Sequence, residues 1–142
     1  MLAMDYVLAE ASAYLSLPAR KEGIIPGMAN LRLPRFLGER LARQAIMFGG
    51  EIQCDSPTGR LICNEVVPSD QIERALAQLV DGLTGSGVVS AVGNRRQFRL
   101  GQEPLDLFRR YLALFAKEQA SCHFSNGLIS NLERYWNAQS RR

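Results

Sequence analysis

Apolar and polar residues alternate near the start of the chain and take on a helical spacing toward its end. Segments 5–12 (DYVLAEAS) and 13–17 (AYLSL) alternate and are rich in residues that favour strands, so each predicts a short strand. Further strands are predicted at 51–54 (EIQC) and 63–67 (CNEVV). The first half therefore indicates an α/β arrangement.

From Pro68 onward the apolar spacing predicts helices, at about 70–83, 88–99, 103–124 and 126–139. We expect each apolar stripe to be buried, because an amphipathic helix normally packs its apolar face. The stripes comprise Ile72, Leu76, Leu79, Val80 and Leu83, then Leu105, Phe108, Leu112 and Phe115, and finally Ile129, Leu132 and Trp136. Aromatic residues at this spacing, Tyr111 included, favour core packing over a ligand site.

The segment LPARKEGIIPG, from Leu17 to Gly27, does not fit either pattern. Three charged residues precede two isoleucines, which is unusual for a surface loop and equally unusual for a buried strand. We expect a loop over 21–30, because Gly and Pro punctuate it. Asn30 is then expected to cap a short helix, which Gly38 separates from a helix over 39–48. The segment either shapes a site or is only a turn.

Charge and cysteine content narrow the possible classes of protein. The chain has 142 residues, with 17 basic and 14 acidic side chains spread along it and a net charge of +3. A nucleic-acid-binding protein would concentrate its basic residues on one face, so that function is not expected. Three cysteines without a C-x-x-C pair argue against a disulfide framework. With no signal-peptide pattern and no long apolar run, a cytoplasmic protein away from membranes is expected.

A search for catalytic residues is mostly negative. His123 is the only histidine, so one chain offers no histidine-based metal site. Cys122 beside it does not form a dyad, since adjacent helical residues point in different directions. The glycines of GLTGSG (82–87) follow no strand and indicate a linker rather than a phosphate site. Glu22 is expected to pair with Arg20 or Lys21. No metal or cofactor is expected.

The stretch GIIPGMANLRLPRFLGERLARQAIMFGG, followed by NEVVP, resembles the crotonase (enoyl-CoA hydratase/isomerase) superfamily. Its members have a G-x-x-P-G loop, then a helix containing L-x-R-x-x-G, then a strand ending in Pro. The resemblance implies the C-terminal portion of a crotonase-like α/β fold. Residues 1–82 would be the end of the ββα core and 83–142 a helical region for oligomerisation or lid formation. It further implies an acyl-CoA substrate and a homotrimer or hexamer.

The same resemblance implies a reaction through a thioester enolate. Hydratases of the superfamily carry a catalytic Glu where this chain has Ala19, and other members carry an Asp where it has Gly27. The catalytic residues are therefore unknown, and hydratase chemistry is not expected. The stretch YLSLPARKEGIIPGMANLRL is similar to members that react the enolate with O2 without metal or organic cofactor, in antibiotic precursor synthesis.

The resemblance assigns a substrate and O2 pocket to Ala19, Ile24, Ile25, Pro26 and Gly27, with possible rim contacts from Arg20, Lys21 and Glu22. The alternative is that Ala19 and Ile24 only pack beneath the loop. In the family the oxyanion hole comes from the first half of the fold, so we expect it to be absent here and to require an N-terminal half, possibly a separate chain. The chain is then part of an enzyme, or a non-catalytic half-domain that serves as an oligomerisation module.

Overall fold

The structure, a computed structural model, describes residues 1–84 and 87–139. The described chain begins with short strands and ends with four helices of 13 to 19 residues. The strands are β1 (Leu8–Glu10), β2 (Tyr14–Ser16), β3 (Glu51–Gln53) and β4 (Glu65–Val67), and the helices are α1 (Ala19–Glu22), α2 (Ala29–Phe48), α3 (Ile72–Thr84), α4 (Val88–Gln102), α5 (Leu105–His123) and α6 (Asn126–Gln139). Two 3₁₀ turns, Gly59–Leu61 and Ser69–Gln71, complete the list.

Met1–Leu15 and Ile52–Arg109 form one compact unit. In it β1 and β4 pair in parallel, with Leu8 opposite Glu65, and β2 pairs with β3. Parallel pairing is possible because the connection between β1 and β4 is long enough to cross over. The buried apolar side chains of this unit are Cys54, Ile62, Cys63 and Ala75.

Ser16–Glu51 and the chain from Arg110 onward form the second unit. Its core follows one side of α2, where Ala29, Leu33, Leu37 and Ala42 are buried at roughly helical spacing. Gly38 has non-helical dihedral angles (φ 71°, ψ 164°), so α2 consists of two helices joined at a kink. Gly49 ends the second, donating its N–H to the carbonyl of Ala45. The predicted break at Gly38 and the predicted end at Gly49 are confirmed.

All four predicted strands are present, each three residues long. The predicted loop over 21–30 was wrong at both ends, because α1 extends to Glu22 and α2 begins at Ala29. Asn30 was also wrongly expected to cap a helix; it lies inside α2, whose N-cap residue is Met28. The start of α2 is formed by backbone bonds instead, because the amides of Leu31 and Arg32 both donate to the carbonyl of Met28.

The four C-terminal helices are where the spacing predicts them, but the predicted buried faces are largely wrong. Leu76, Val80 and Leu83 on α3 are 48–61% exposed, and only Ala75 is buried on that helix. On α6, Trp136 is 72% exposed, while Leu128 is the buried residue. On α5 the half-buried residues include Phe108, Tyr111, Phe115 and Gln119, whereas Leu105 and Leu112 are exposed. Spacing locates an apolar stripe, but it does not identify what packs against it.

Residues 85 and 86 of the predicted GLTGSG linker lie outside the described residues, and the domain boundary between 82 and 83 stays a prediction. Within the described ranges, no single helix is long and apolar enough to cross a membrane; only the bent pair Ser69–Thr84 and Val88–Gln102 would have the length and composition together.

Candidate functional site

Leu17–Gly27, here called the wall segment, folds as one turn of helix followed by a tight turn. Ala19 begins α1 and is 6% exposed. Its carbonyl accepts the N–H of Ile24 at 2.9 Å, which turns the chain back over the helix. Gly23 makes this reversal possible, because its φ of 83° lies in the left-handed region that favours glycine. Ile24 and Ile25 are left half-buried.

The turn at Ile25–Gly27 satisfies its own backbone polar groups in part. The N–H of Gly27 donates to the carbonyl of Ile25 at 2.8 Å, and the carbonyl of Pro26 accepts the N–H of Ala29 at 3.2 Å. Pro26 has no N–H to satisfy. Gly27 has a φ of 56°, again left-handed. Two groups then need partners from elsewhere: the N–H of Ile25 and the carbonyl of Gly27.

Helix α5 provides both of those partners. The hydroxyl of Tyr111 donates to the carbonyl of Gly27 at 2.5 Å. The Oε1 atom of Gln119 accepts the N–H of Ile25 at 2.9 Å, and its Nε2 lies 3.2 Å from Nε2 of His123. Burial raises the pKa of the Tyr111 phenol, with Asn30 among the groups that oppose the shift, so the hydroxyl remains a donor at neutral pH.

Helix α6 packs against the other end of the wall segment. A Cβ atom built on Gly23 would lie 2.9 Å from the backbone nitrogen of Leu128 and 3.0 Å from its Cα. The side-chain amide of Asn131 donates to the carbonyl of Lys21 at 2.8 Å. Gly23 therefore has two structural roles: it allows the chain to reverse direction, and it leaves room for the backbone of α6.

The charged residues of the segment lie on its exposed side. Arg20 donates to the carbonyl of Met47 at 2.5 Å, and its guanidinium carbon lies 5.9 Å from the centre of the Phe48 ring. Lys21 passes close to Gly49. An open groove of about 660 Å³ lies beside them, lined by Glu39, Arg40, Arg43, Gln44, Phe48 and Gly49. The ion pair expected for Glu22 stays a prediction.

Cys54 and Cys63 are buried in the other unit, and burial raises the pKa of Cys63 to about 11. His123 contacts Gln119 through its ring. Among residues 1–84 and 87–139, no group of three or more His, Cys, Asp or Glu side chains is placed to hold a metal ion.

Comparison with known proteins identifies the family. The sequence profile described as enoyl-CoA hydratase/isomerase matches residues 1–135. The chain belongs to the enoyl-CoA hydratase/isomerase family. Over 120 residues, 84% of this chain and 27% of the relative, it is 48% identical to the (3,5-dihydroxyphenyl)acetyl-CoA 1,2-dioxygenase of Amycolatopsis orientalis. It is 26% identical to the carnitinyl-CoA dehydratase of Salmonella typhi over 78% of this chain and 43% of that one.

Solved structures of the family confirm the predicted crotonase-like fold. An enoyl-CoA hydratase from Mycobacterium avium subsp. paratuberculosis superposes with a TM-score of 0.85 at 20% identity, covering 99% of this chain and 56% of that one. A hydratase described as putative from Streptomyces avermitilis gives a TM-score of 0.79 at 20% identity, covering 96% and 49%. This member of the enoyl-CoA hydratase/isomerase family thus spans about half the length, or less, of these relatives.

Sequence reasoning proposed Ala19, Ile24, Ile25, Pro26 and Gly27 as a group, and the structure places them in the second unit, with the carbonyl of Ala19 bonded to the N–H of Ile24. Their role as a pocket stays a prediction. Reasoning from the sequence did not identify Tyr111 and Gln119 as the side chains that bond to the Ile25–Gly27 turn. A signal was available: Tyr111, Phe115 and Gln119 are spaced by four, so two polar side chains share a face with a half-buried phenylalanine.

Proposed function

We propose that this chain is part of an acyl-CoA-binding enzyme that oxidises an arylacetyl-CoA with O2, without metal or organic cofactor. The observation that carries the proposal is its 48% identity to the (3,5-dihydroxyphenyl)acetyl-CoA 1,2-dioxygenase of Amycolatopsis orientalis. The resemblance of the wall segment to the acid-bearing segment of hydratases adds a second reason. A buried alanine, Ala19, stands at the position of the acid.

The proposed chemistry needs no acid at Ala19. Removal of a proton from the carbon next to the thioester gives an enolate, which is electron-rich enough to reduce O2. Insertion of both oxygen atoms at carbons 1 and 2 converts ArCH2C(O)S-CoA and O2 into ArC(O)COOH and free CoA. Ala19, Ile24 and Ile25 would offer O2 a small apolar surface, and the protein's task would be to orient the reactants and exclude water.

The remaining groups would come from the rim and from outside the wall segment. Arg20 and Lys21 are exposed cations within the segment and are candidates for contact with the phosphates of CoA. An N-terminal half, on the same or another chain, would supply two backbone N–H groups to the thioester oxygen. That contribution is large, because removal of one such donor typically costs about 10²–10³ in rate.

The test measures oxygen uptake and CoA release with (3,5-dihydroxyphenyl)acetyl-CoA. The chain is assayed alone and together with the N-terminal part of the Amycolatopsis dioxygenase. We expect one CoA released per O2 consumed in the complemented sample. CoA release without oxygen uptake would instead indicate a hydrolase, and no reaction in either sample would refute the dioxygenase proposal.

The variant Ala19→Glu restores the carboxylate that hydratases carry and tests the role of this position. We expect it to lower oxygen uptake by about 10²-fold, because a buried charged group displaces the reactants. The matched variant Ala19→Ser adds one polar atom without a charge and should retain most of the uptake. If Ala19→Glu reacted like the wild-type chain, the side chain at this position would not face the reactants, and the pocket assignment would be wrong.

The second candidate, a non-catalytic oligomerisation module, is favoured by the exposed apolar side chains of the last two helices and of the turn between them. Leu114, Phe124, Leu132, Tyr135 and Trp136 are all 58% exposed or more. A homotrimer or hexamer that uses them, as expected from the family resemblance, would be seen by analytical ultracentrifugation. A trimer with no acyl-CoA binding would favour the module over the enzyme, and a stable monomer would exclude it. The cytoplasmic location and a role in antibiotic precursor synthesis stay predictions.

A further inference from the structure

Two side chains of α5, Tyr111 and Gln119, bond to the wall segment, and the sequence did not predict either of them as a site residue. We infer that Tyr111 and Gln119 are positioning residues, which fix the Ile25–Gly27 turn as the acyl-CoA-facing wall. This inference rests on the proposed function, because it concerns the same site. It goes beyond that function by naming the residues that determine the shape of the wall.

The backbone polar groups of the turn find partners both within it and on α5. The carbonyl of Ile25 and the N–H of Gly27 pair with each other, and the carbonyl of Pro26 accepts from Ala29. Of the remaining groups, the N–H of Ile25 donates to Gln119, and the carbonyl of Gly27 accepts the hydroxyl of Tyr111. Partly buried backbone groups of this kind are costly to leave without partners.

The two bonds from α5 connect residues that are far apart in the chain. They join the turn to residues 94 and 84 positions away, so neither bond belongs to local secondary structure. The two side chains are eight residues apart on one face of α5, and they bond to the residues on either side of Pro26. Such a bridge fixes the orientation of the whole turn relative to α5, within a single compact unit.

Gly27, the last residue of the turn, is not closely packed on the side where a Cβ atom would lie. A Cβ atom built on Gly27 would have no neighbour within 4 Å, so the turn is not held there by close packing. Gly23, by contrast, is packed directly against α6. One end of the wall segment is therefore fixed by packing, and the end at Gly27 depends on the bonds from α5.

Amide hydrogen exchange at Ile25 and Gly27 tests the bridge without any assay of activity. We compare Tyr111→Phe and Gln119→Leu with Gln119→Glu, which keeps an oxygen to accept the N–H of Ile25. Tyr135→Phe and Gln139→Leu are matched controls, because those two exposed side chains bond only each other among the bonds described here. Loss of one net hydrogen bond should speed local exchange by about fivefold.

Binding of (3,5-dihydroxyphenyl)acetyl-CoA, measured by calorimetry on the chain complemented as above, tests the link to the site. We expect both α5 variants to bind about five- to tenfold more weakly than the controls, and Gln119→Glu to restore both exchange and binding. Unchanged exchange at Ile25 and Gly27 would overturn the bridge. Faster exchange with unchanged binding would overturn the positioning role.

Failure of the proposed reaction gives a different result. If the wild-type protein binds the thioester but consumes no O2, the dioxygenase proposal fails, whereas the binding and exchange results still decide the positioning role. If the wild-type protein does not bind the thioester at all, the wall assignment fails and the inference falls with it. A structural role alone predicts faster exchange at the turn without weaker binding, so the binding measurement separates the two explanations.

Discussion

Substitution of Gly23 by alanine should be strongly destabilising, and its cost has two separable parts. The residue has a φ of 83°, where an L side chain costs roughly 1–2 kcal/mol. In addition, the new Cβ would lie 2.9 Å from the backbone nitrogen of Leu128, closer than such atoms pack. Because the neighbour is helix backbone and not a flexible side chain, relief requires movement of α6, which costs roughly 1–3 kcal/mol more. The expected total is about 2–5 kcal/mol.

Two other glycines provide matched controls for this substitution. Gly27 also has a left-handed φ, of 56°, but nothing lies within 4 Å of the Cβ position. Gly27→Ala should therefore cost only the strain, about 1–2 kcal/mol. Gly50 has no neighbour at the Cβ position either and is not among the described glycines with positive φ, so Gly50→Ala should change stability by less than about 0.5 kcal/mol.

The free energy of unfolding is measured by urea denaturation of the three variants and the wild-type chain, with the same slope required for each. The expected order of loss is Gly23→Ala, then Gly27→Ala, then Gly50→Ala. Equal losses for the first two variants would refute the reasoning, because crowding by Leu128 would then contribute nothing. A loss at Gly23 that persisted when Leu128 was shortened to alanine would agree with it, since the clash involves backbone atoms.

Three further predictions concern the thiols and one exposed ion pair. Only Cys122 should react quickly with a thiol reagent at pH 8, because Cys54 and Cys63 are buried and the pKa of Cys63 is raised to about 11. Fast reaction of all three thiols in the folded chain would contradict this burial. The raised pKa of Cys63 also means that its thiol ionises at lower pH in the unfolded state than in the folded state. The free energy of unfolding should therefore fall as pH rises from about 9 toward 11, which the urea midpoint measures. Asp5→Asn removes a 2.5 Å ion pair with Arg95, yet both side chains are 45% exposed or more. The substitution should lower the free energy of unfolding by no more than about 1 kcal/mol, because exposed ion pairs contribute little. A larger loss in urea denaturation would contradict this expectation.

The sequence located most elements because their signals are local. Gly38 and Gly49 break or end α2 through their own dihedral angles, and apolar spacing alone placed the four C-terminal helices. The buried faces could not be predicted in the same way. A stripe such as Leu76, Val80 and Leu83 identifies the face that a partner would cover, but burial depends on that partner, which spacing within one helix does not reveal.

The candidate site shows the same division between local and distant information. Proximity in the sequence brought Ala19 and the Ile24–Gly27 stretch together, so the grouping of these residues could be predicted. What fixes their geometry comes from α5 and α6, more than 80 residues later in the chain. No pattern around Gly27 indicates that its carbonyl will meet the hydroxyl of Tyr111.

The position of Ala19 now has a physical explanation that family resemblance alone did not provide. Its side chain is buried at the start of α1, its carbonyl closes the turn to Ile24, and the reversal at Gly23 packs against α6. A carboxylate at this position would therefore replace a buried methyl group in a segment held from both ends, and it would need a partner to offset its desolvation. The residue that distinguishes the wall segment from that of a hydratase is thus also part of its packing. For this reason Ala19→Glu is compared with Ala19→Ser, which adds one polar atom with neither the charge nor the length of a glutamate side chain.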